Sequence, residues 1–352
     1  MTPQQTSAEP LTPAKIMQIG MGFWPSKVLL SAVKLNLFTT LGAGPLTGAE
    51  IKQRLGLGCT ERHVFDWLDA LVSLGFLQRE GLLASARYRN AADTGLFLDK
   101  NRKTYMGGIL EMADSRLYHH WAKLAGGLLT GAPQNESKGT AAGNMDVFTE
   151  LYADPAALRE FIEAMAGFQA GNFAALVAKF DFGQFPSMLD VGGADGSLSV
   201  QVCQRYPSIT CATFDLPPVE PLAKARIAAA GLSGRIQALS GDLLKDSFPP
   251  AQLITMGNIL HGFDEAAKQE LIHKVYGSLP AGGAFMAIEN IIDNDRRENT
   301  FGLLMSLNML VENGAAFDYT PDDFGRWTKT AGFQRIEIIP LGGPTSAAVA
   351  YK

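Results

Sequence analysis

The sequence predicts an α/β protein in two parts, a mainly α-helical N-terminal module followed by a parallel sheet with helices on both faces. Three observations predict it. From residue 185 onward short apolar runs alternate with helical patterns, a glycine-rich turn in "MLDVGGADGSLSV" (188–200) follows the first of those runs, and the N-terminal third carries two tandem amphipathic helices ahead of a hairpin pattern. The 352 residues exceed one ordinary domain, and 47% hydrophobic with 18% charged residues is an ordinary globular balance. A net charge of -5 argues against a mainly electrostatic attachment to nucleic acid. Cys59, Cys203 and Cys211 are scattered and read as core thiols of a reducing compartment. The N-terminus lacks a basic region followed by an apolar one, and no run of 18 apolar residues occurs, so a soluble cytoplasmic protein with no membrane partner is expected.

In "GPLTGAEIKQRLGLGCTERHVFDWLDALVSLGFLQREGLLASARYRN", Thr47 caps a helix carrying Ile51 and Leu55, glycines 56 and 58 interrupt it, and Thr60 caps a second helix. On that second helix Val64, Leu68, Leu71 and Val72 recur at i, i+4, i+7 and i+8 and form one apolar face. Gly75 ends it, and "FLQREGLLASARYR" reads as the hairpin of a winged helix. Glu61, Asp66 and Asp69 outweigh Arg62 there, the wrong balance for a phosphate-rich groove, so the module is expected to pack and dimerise. The preceding "WPSKVLLSAVKLNLFTTL" reads as one strongly apolar helix whose stretch from Val28 to Leu41 needs more cover than a small module offers, which predicts a twofold homodimer. Further helices follow, with Asp154-Pro155 marking a start. The expected organisation is a winged-helix dimerisation domain over 11–98, a helical connector lining a substrate pocket over 99–184, and the sheet domain over 185–352.

The strands of that domain are read as ending at Val191, Asp215, Gly241, Asn258 and Glu289, and in open α/β sheets ligands bind outside such carboxyl ends. "GFQRIEIIPLGGPTSAAVAYK" reads as a terminal antiparallel hairpin. Gly192, Gly193 and Gly196 allow a close backbone approach, but the spacing is neither G-x-G-x-x-G nor a phosphate loop, which weakens the dinucleotide and nucleotidase readings. Asp215 in "TFDLP" is placed to take ribose hydroxyls and Asp242 in "SGDLL" an adenine amine, with a helix N-cap as the alternative for either. No H-x-x-x-H, paired cysteines or calcium loop occurs, so no metal is expected.

The stretch "GNILHGFDEAAKQELIHKVYGSLPAGGAFMAIEN", joined to these motifs, resembles the S-adenosylmethionine (SAM)-dependent small-molecule O-methyltransferases of the caffeate, acetylserotonin and bacterial polyketide-tailoring group. The likeness spans nearly the whole chain and implies a Rossmann-like class I methyltransferase sheet with SAM as cofactor. It implies SAM contacts at Asp190, Gly192, Gly193, Asp215, Leu216, Asp242, Leu243, Gly257 and Asn258, with Phe263 stacked on the adenine. It implies His261 as general base, Glu289 as the carboxylate that orients it, and a second acid at Asp318 in "FDYT". The sequence departs from the family in reading His261-Gly262-Phe263 for H-D-W, Gly257 where a Lys or Arg often stands, and Asp318-Tyr319 for Glu-Arg. The chemistry is coherent without the family: a phenol with a pKa near 10 is a poor nucleophile at neutral pH until a base takes its proton, and a carboxylate on the far imidazole nitrogen fixes the tautomer. Phe148, Met165, Phe168, Met305 and Met309 are read as lining for a flat, hydroxylated aromatic substrate. A thiol or carbon acceptor on the same scaffold, and a non-catalytic SAM-binding relative, stay open alternatives.

Overall fold

The computed structural model describes residues 11–135, 152 and 154–352, in two units that divide the chain between Ser115 and Arg116. In the first unit Thr47 caps the helix Gly48–Leu55 reciprocally, its hydroxyl accepting from the Glu50 N–H while the Glu50 carboxylate accepts from the Thr47 N–H at 2.7 Å. Thr60 caps the helix Glu61–Ser73, whose Val64, Leu68 and Leu71 are the buried stripe expected from their spacing. Three short strands follow the order β1-β3-β2, with β1 Leu46–Thr47, β2 Leu77–Glu80 and β3 Arg87–Asn90. The β2–β3 pair is the expected hairpin, and β1 is an addition to it.

The apolar segment upstream is not one helix. It runs Phe23–Lys34, and Asn36 then takes a left-handed φ of 58° before a single turn at Leu37–Thr40. Asparagine tolerates that backbone, and the break turns Leu37 and Phe38 into a core with Val33, Ile51, Leu68 and Leu71. Ile16, Met17, Ile19, Phe23 and Trp24 stay 49–75% exposed. Cys59 is exposed rather than buried.

In the second unit Asp154 accepts from the N–H groups of Ala156 and Ala157 and starts the helix Pro155–Lys179. By length and composition alone that helix is apolar enough to cross a membrane; its Leu176 and Val177 are buried against one face of the sheet. The sheet has seven strands: β4 Ser187–Val191, β5 Thr210–Asp215, β6 Ile236–Ser240, β7 Leu253–Gly257, β8 Ala284–Glu289, β9 Arg335–Gly342 and β10 Thr345–Tyr351. Their order is β6-β5-β4-β7-β8-β10-β9, parallel through β8 and antiparallel at β10 and β9, with the expected hairpin folded so that its second strand lies inside. Strands covered on both faces must be apolar on both. Along β8, Met286 and Ile288 enter one core while Phe285 and Ala287 enter the other.

Removing the Thr47 hydroxyl should lower the stability of the first unit by about 1 kcal/mol, the usual cost of losing such a cap. Urea unfolding of Thr47→Ala checks it, and an unchanged midpoint would show that the cap contributes nothing.

Candidate active site

Strand order reverses on either side of β4, and the turn leaving that strand is where a ligand cleft opens in sheets of this kind. The turn is held tight by its glycines. Gly192 has a left-handed φ of 67°, and a Cβ on it would sit 2.2 Å from Ile259 Cδ1; a Cβ on Gly193 would sit 2.2 Å from Thr213 Oγ1. Behind the turn Asp190 is buried and accepts from Thr255 Oγ1 at 2.7 Å. Burial pushes its carboxyl up to about 7, against the Thr255 hydrogen bond. At the next strand end Asp215 accepts from the Ala194 N–H at 2.9 Å and the Leu216 N–H at 2.7 Å. Burial pushes it up to about 6, opposed by those two bonds, and each oxygen keeps a lone pair for a further donor. At the third, Asp242 accepts from the Leu244 N–H and pairs with Lys245 at 2.8 Å, while the Leu243 carbonyl accepts from Lys274. Gly257 ends β7 and Asn258 beside it has a left-handed φ of 53°, its N–H donating to the Ile288 carbonyl.

Two residues farther on the chain makes a single tight turn, Leu260–Gly262, that carries His261. His261 is 8% exposed, and its Nδ1 lies 3.4 Å from Asp318 Oδ1. Glu289, at the end of β8, accepts from the His261 backbone N–H at 3.1 Å. This differs from the expectation that Glu289 holds the ring: it holds the backbone, and Asp318 faces the ring nitrogen. The reason is local, since the Asp318 N–H is pinned to Ser306 Oγ at 3.2 Å, which aims that acid across the turn. Tyr319 lies beneath with its hydroxyl toward Glu289, and burial with the nearby carboxylates keeps it a phenol. His261 Nδ1, Glu289 Oε2, both Asp318 oxygens and Tyr319 Oη are sealed from solvent without a hydrogen bond of regular geometry. A concentration of such atoms in one place is a mark of a working site. Burial disfavours the imidazolium, but Asp318 and then Glu289 outweigh it and hold the His261 pKa above its ordinary value. Burial raises Glu289, against the pull of His261.

Among the aromatic and sulfur side chains singled out in the sequence, Met305 and Met309 lie on the helix Thr300–Asn313, on the side that carries Ser306 and Asn313 toward the Asp318 loop and the Gly262 turn. Met165 and Phe168 are half-buried on Pro155–Lys179, a helix that reaches the strand edge at Phe173, 3.9 Å from where a Cβ on Gly257 would be. Phe148 lies outside the described residues. Phe263 is buried in the core cluster over one sheet face. Sequence reasoning missed Thr255, Ser306 and Tyr319, whose types carry no distinctive pattern. It also missed a buried pairing of His120 Nδ1 with Glu312 at 3.0 Å and a half-buried hydrogen bond from Trp121 Nε1 to Asn308 at 2.8 Å. Among the described residues no cluster could hold a metal ion.

Fold and strand edge together define a SAM-dependent methyltransferase. Human N-acetylserotonin methyltransferase, solved with SAM, superposes with a TM-score of 0.88 at 27% identity over 99% of both chains. A model of the O-methyltransferase domain matches residues 121–334, and one of the O-methyltransferase dimerisation domain matches residues 17–100. The sequence is 35% identical, over 97% of each chain, to a tetracenomycin polyketide synthesis 8-O-methyl transferase of Streptomyces glaucescens. It is 29% identical, over 94% of this chain and 93% of the relative, to an N,N-dimethyltransferase of Streptomyces rimosus. The chain belongs to the O-methyltransferase family, and SAM is its cofactor.

Asp190 sets a pH slope on stability. A carboxyl raised in the folded state binds its proton more tightly there than in the unfolded chain, so stability is lost as pH rises from about 4 toward 7. Asp190→Asn keeps an acceptor for Thr255 and should be more stable than the parent by roughly 2 kcal/mol or more at about pH 8, with no advantage near pH 4. Urea unfolding at the two pH values measures it; equal stabilities at the higher pH would show that Asp190 is not burdened by its burial.

Proposed function

We propose that the enzyme methylates a hydroxyl on a small aromatic metabolite, with His261 as general base. The carrying observation is the His261 Nδ1 to Asp318 contact at 3.4 Å inside a buried cluster. A carboxylate on Nδ1 selects the tautomer with its proton there, which leaves the Nε2 lone pair to take the acceptor's proton. Asp318 then balances the imidazolium, and Glu289, by gripping the His261 N–H, keeps the turn in place. Bound SAM supplies an electrophilic methyl on a sulfonium. The residues fit it: Gly192 and Gly193 keep the turn narrow, Asp215 retains acceptor capacity for ribose hydroxyls, and Asp242 stands at the neighbouring strand end for the adenine. Leu216, Leu243, Gly257, Asn258 and Phe263 complete that proposed edge, and Met165, Phe168, Met305 and Met309 flank the acceptor. The polyketide tailoring enzyme and the acetylserotonin enzyme among the relatives support an aromatic hydroxyl. The N,N-dimethyltransferase at 29% identity supports a second reading in which nitrogen is the acceptor. Methyl transfer from labelled SAM to a panel of phenols, amines and thiols discriminates the two.

The base must be neutral to work. Since its pKa is held high, the single-turnover rate on a phenol should rise with pH through an inflection above about 6.5. Asp318→Asn should move that inflection to lower pH while lowering the plateau. His261→Ala should cut the rate by roughly 100-fold with SAM affinity unchanged; an undiminished rate on the best acceptor would sink the assignment.

The first unit is read as a winged helix of a soluble cytoplasmic protein, and its pairing of two copies of the chain is supported by the match to the dimerisation domain and by the exposed strip from Ile16 to Trp24. Light scattering should give a dimer at micromolar concentration, weakened by Trp24→Asp; a monomeric parent protein contradicts the pairing.

A further inference from the structure

Lys268 stands where a charge is unexpected. It lies in the first half of the helix Glu265–Ser278, which follows the His261 turn, on the same stripe as Leu271, Ile272 and Val275, and it is fully buried. Its ammonium donates to the Phe263 carbonyl and lies 3.5 Å from the centre of the Phe317 ring and 5.9 Å from that of Trp327. Phe263 is two residues beyond His261, and Phe317 immediately precedes Asp318. One side chain therefore grips both segments of the acid–base pair. A buried ammonium is costly unless compensated, and the compensation is visible: Glu289, Asp318, Asp264 and Glu265 all bear on it. Glu265 is itself held by Trp327 Nε1 at 2.8 Å and by Arg326, and Asp264 caps the helix by accepting from the Ala267 N–H.

We propose that Lys268 is a positioning residue for His261, tying the turn that bears the histidine to the loop that bears Asp318 and offsetting with its charge the two carboxylates that crowd the imidazole. The offset matters for chemistry. Asp318 and Glu289 both favour the imidazolium, which has no lone pair to offer, and Lys268 is the cation that opposes them. With both acids and no counter-charge, the histidine would hold its proton into the range where it should be accepting one. Burial pushes the Lys268 ammonium down to about 8, against the pull of Glu289 and Asp318, so at neutral pH it still carries most of its charge beside the two acids.

This rests on the reading of His261 as base, but its test does not require turnover. Protein labelled with carbon-13 histidine carries five imidazole signals, and His261→Ala identifies the one of interest. In Lys268→Met the His261 titration should move up by about one pH unit, while Lys268→Arg, which keeps the charge, should titrate with the parent. In the parent enzyme the His261 signal should also be displaced a second time, at more alkaline pH, as Lys268 loses its proton; this second displacement needs no variant and decides the matter if Lys268→Met does not fold. A Lys268→Met titration coincident with the parent, or the absence of the second displacement, overturns the proposal. A failure of the base assignment shows separately, as an undiminished rate in His261→Ala.

Discussion

Two carboxylates and an imidazole are kept out of water around the single turn Leu260–Gly262, and the elements that meet there make that arrangement tolerable. Charges in a low-dielectric interior must be paired or neutralised. Here Glu289 is met by a backbone N–H and a phenol, Asp318 by an imidazole, and a lysine beneath them balances the sum. None of these partners comes from the same element as the group it serves. β8 carries the glutamate, the turn after β7 the histidine, the loop before Pro321–Ala331 the aspartate, and the helix after the turn the lysine.

The sheet makes such convergence possible. Parallel pairing of β7 with β8 puts Gly257 opposite Ile288, so Glu289 falls beside the start of the His261 turn. Parallel pairing of β4 with β5 and β5 with β6 likewise brings Asp190, Asp215 and the approach to Asp242 to one edge. Acids that are distant in sequence thus share an end of the sheet because of register alone, and the glycine turn lets Ile259 and Thr213 pack directly against its backbone.

Much of this was legible in the residues. The glycine turn, the acids closing successive apolar runs and the caps at Thr47, Thr60 and Asp154 are local signals, and local signals survive folding. His261 was legible through its motif. The identity of its ring partner was not, because which oxygen faces Nδ1 depends on Ser306, twelve residues from Asp318, fixing that loop. Lys268 was invisible for another reason: a lysine in a helical pattern reads as a solvated face, although its place on the stripe of Leu271, Ile272 and Val275 was a clue. The break at Asn36 escaped notice because apolar periodicity runs on both sides of it.

The strand order β8-β10-β9 has a consequence for solubility. β8 is apolar from Ala284 to Ile288 and closes on Glu289, and with a bare edge such a segment is a template for association between chains. The later of the two hairpin strands, itself almost wholly buried, is slotted against it, and the earlier one is left at the rim. That rim strand carries exposed Arg335 and Glu337 and, farther along, Pro340, which has no N–H to offer a neighbour. Had the hairpin folded the other way round, the sheet would end in the alanine- and valine-rich TSAAVAY; as it stands, the sequence least able to recruit another strand is the one that faces outward.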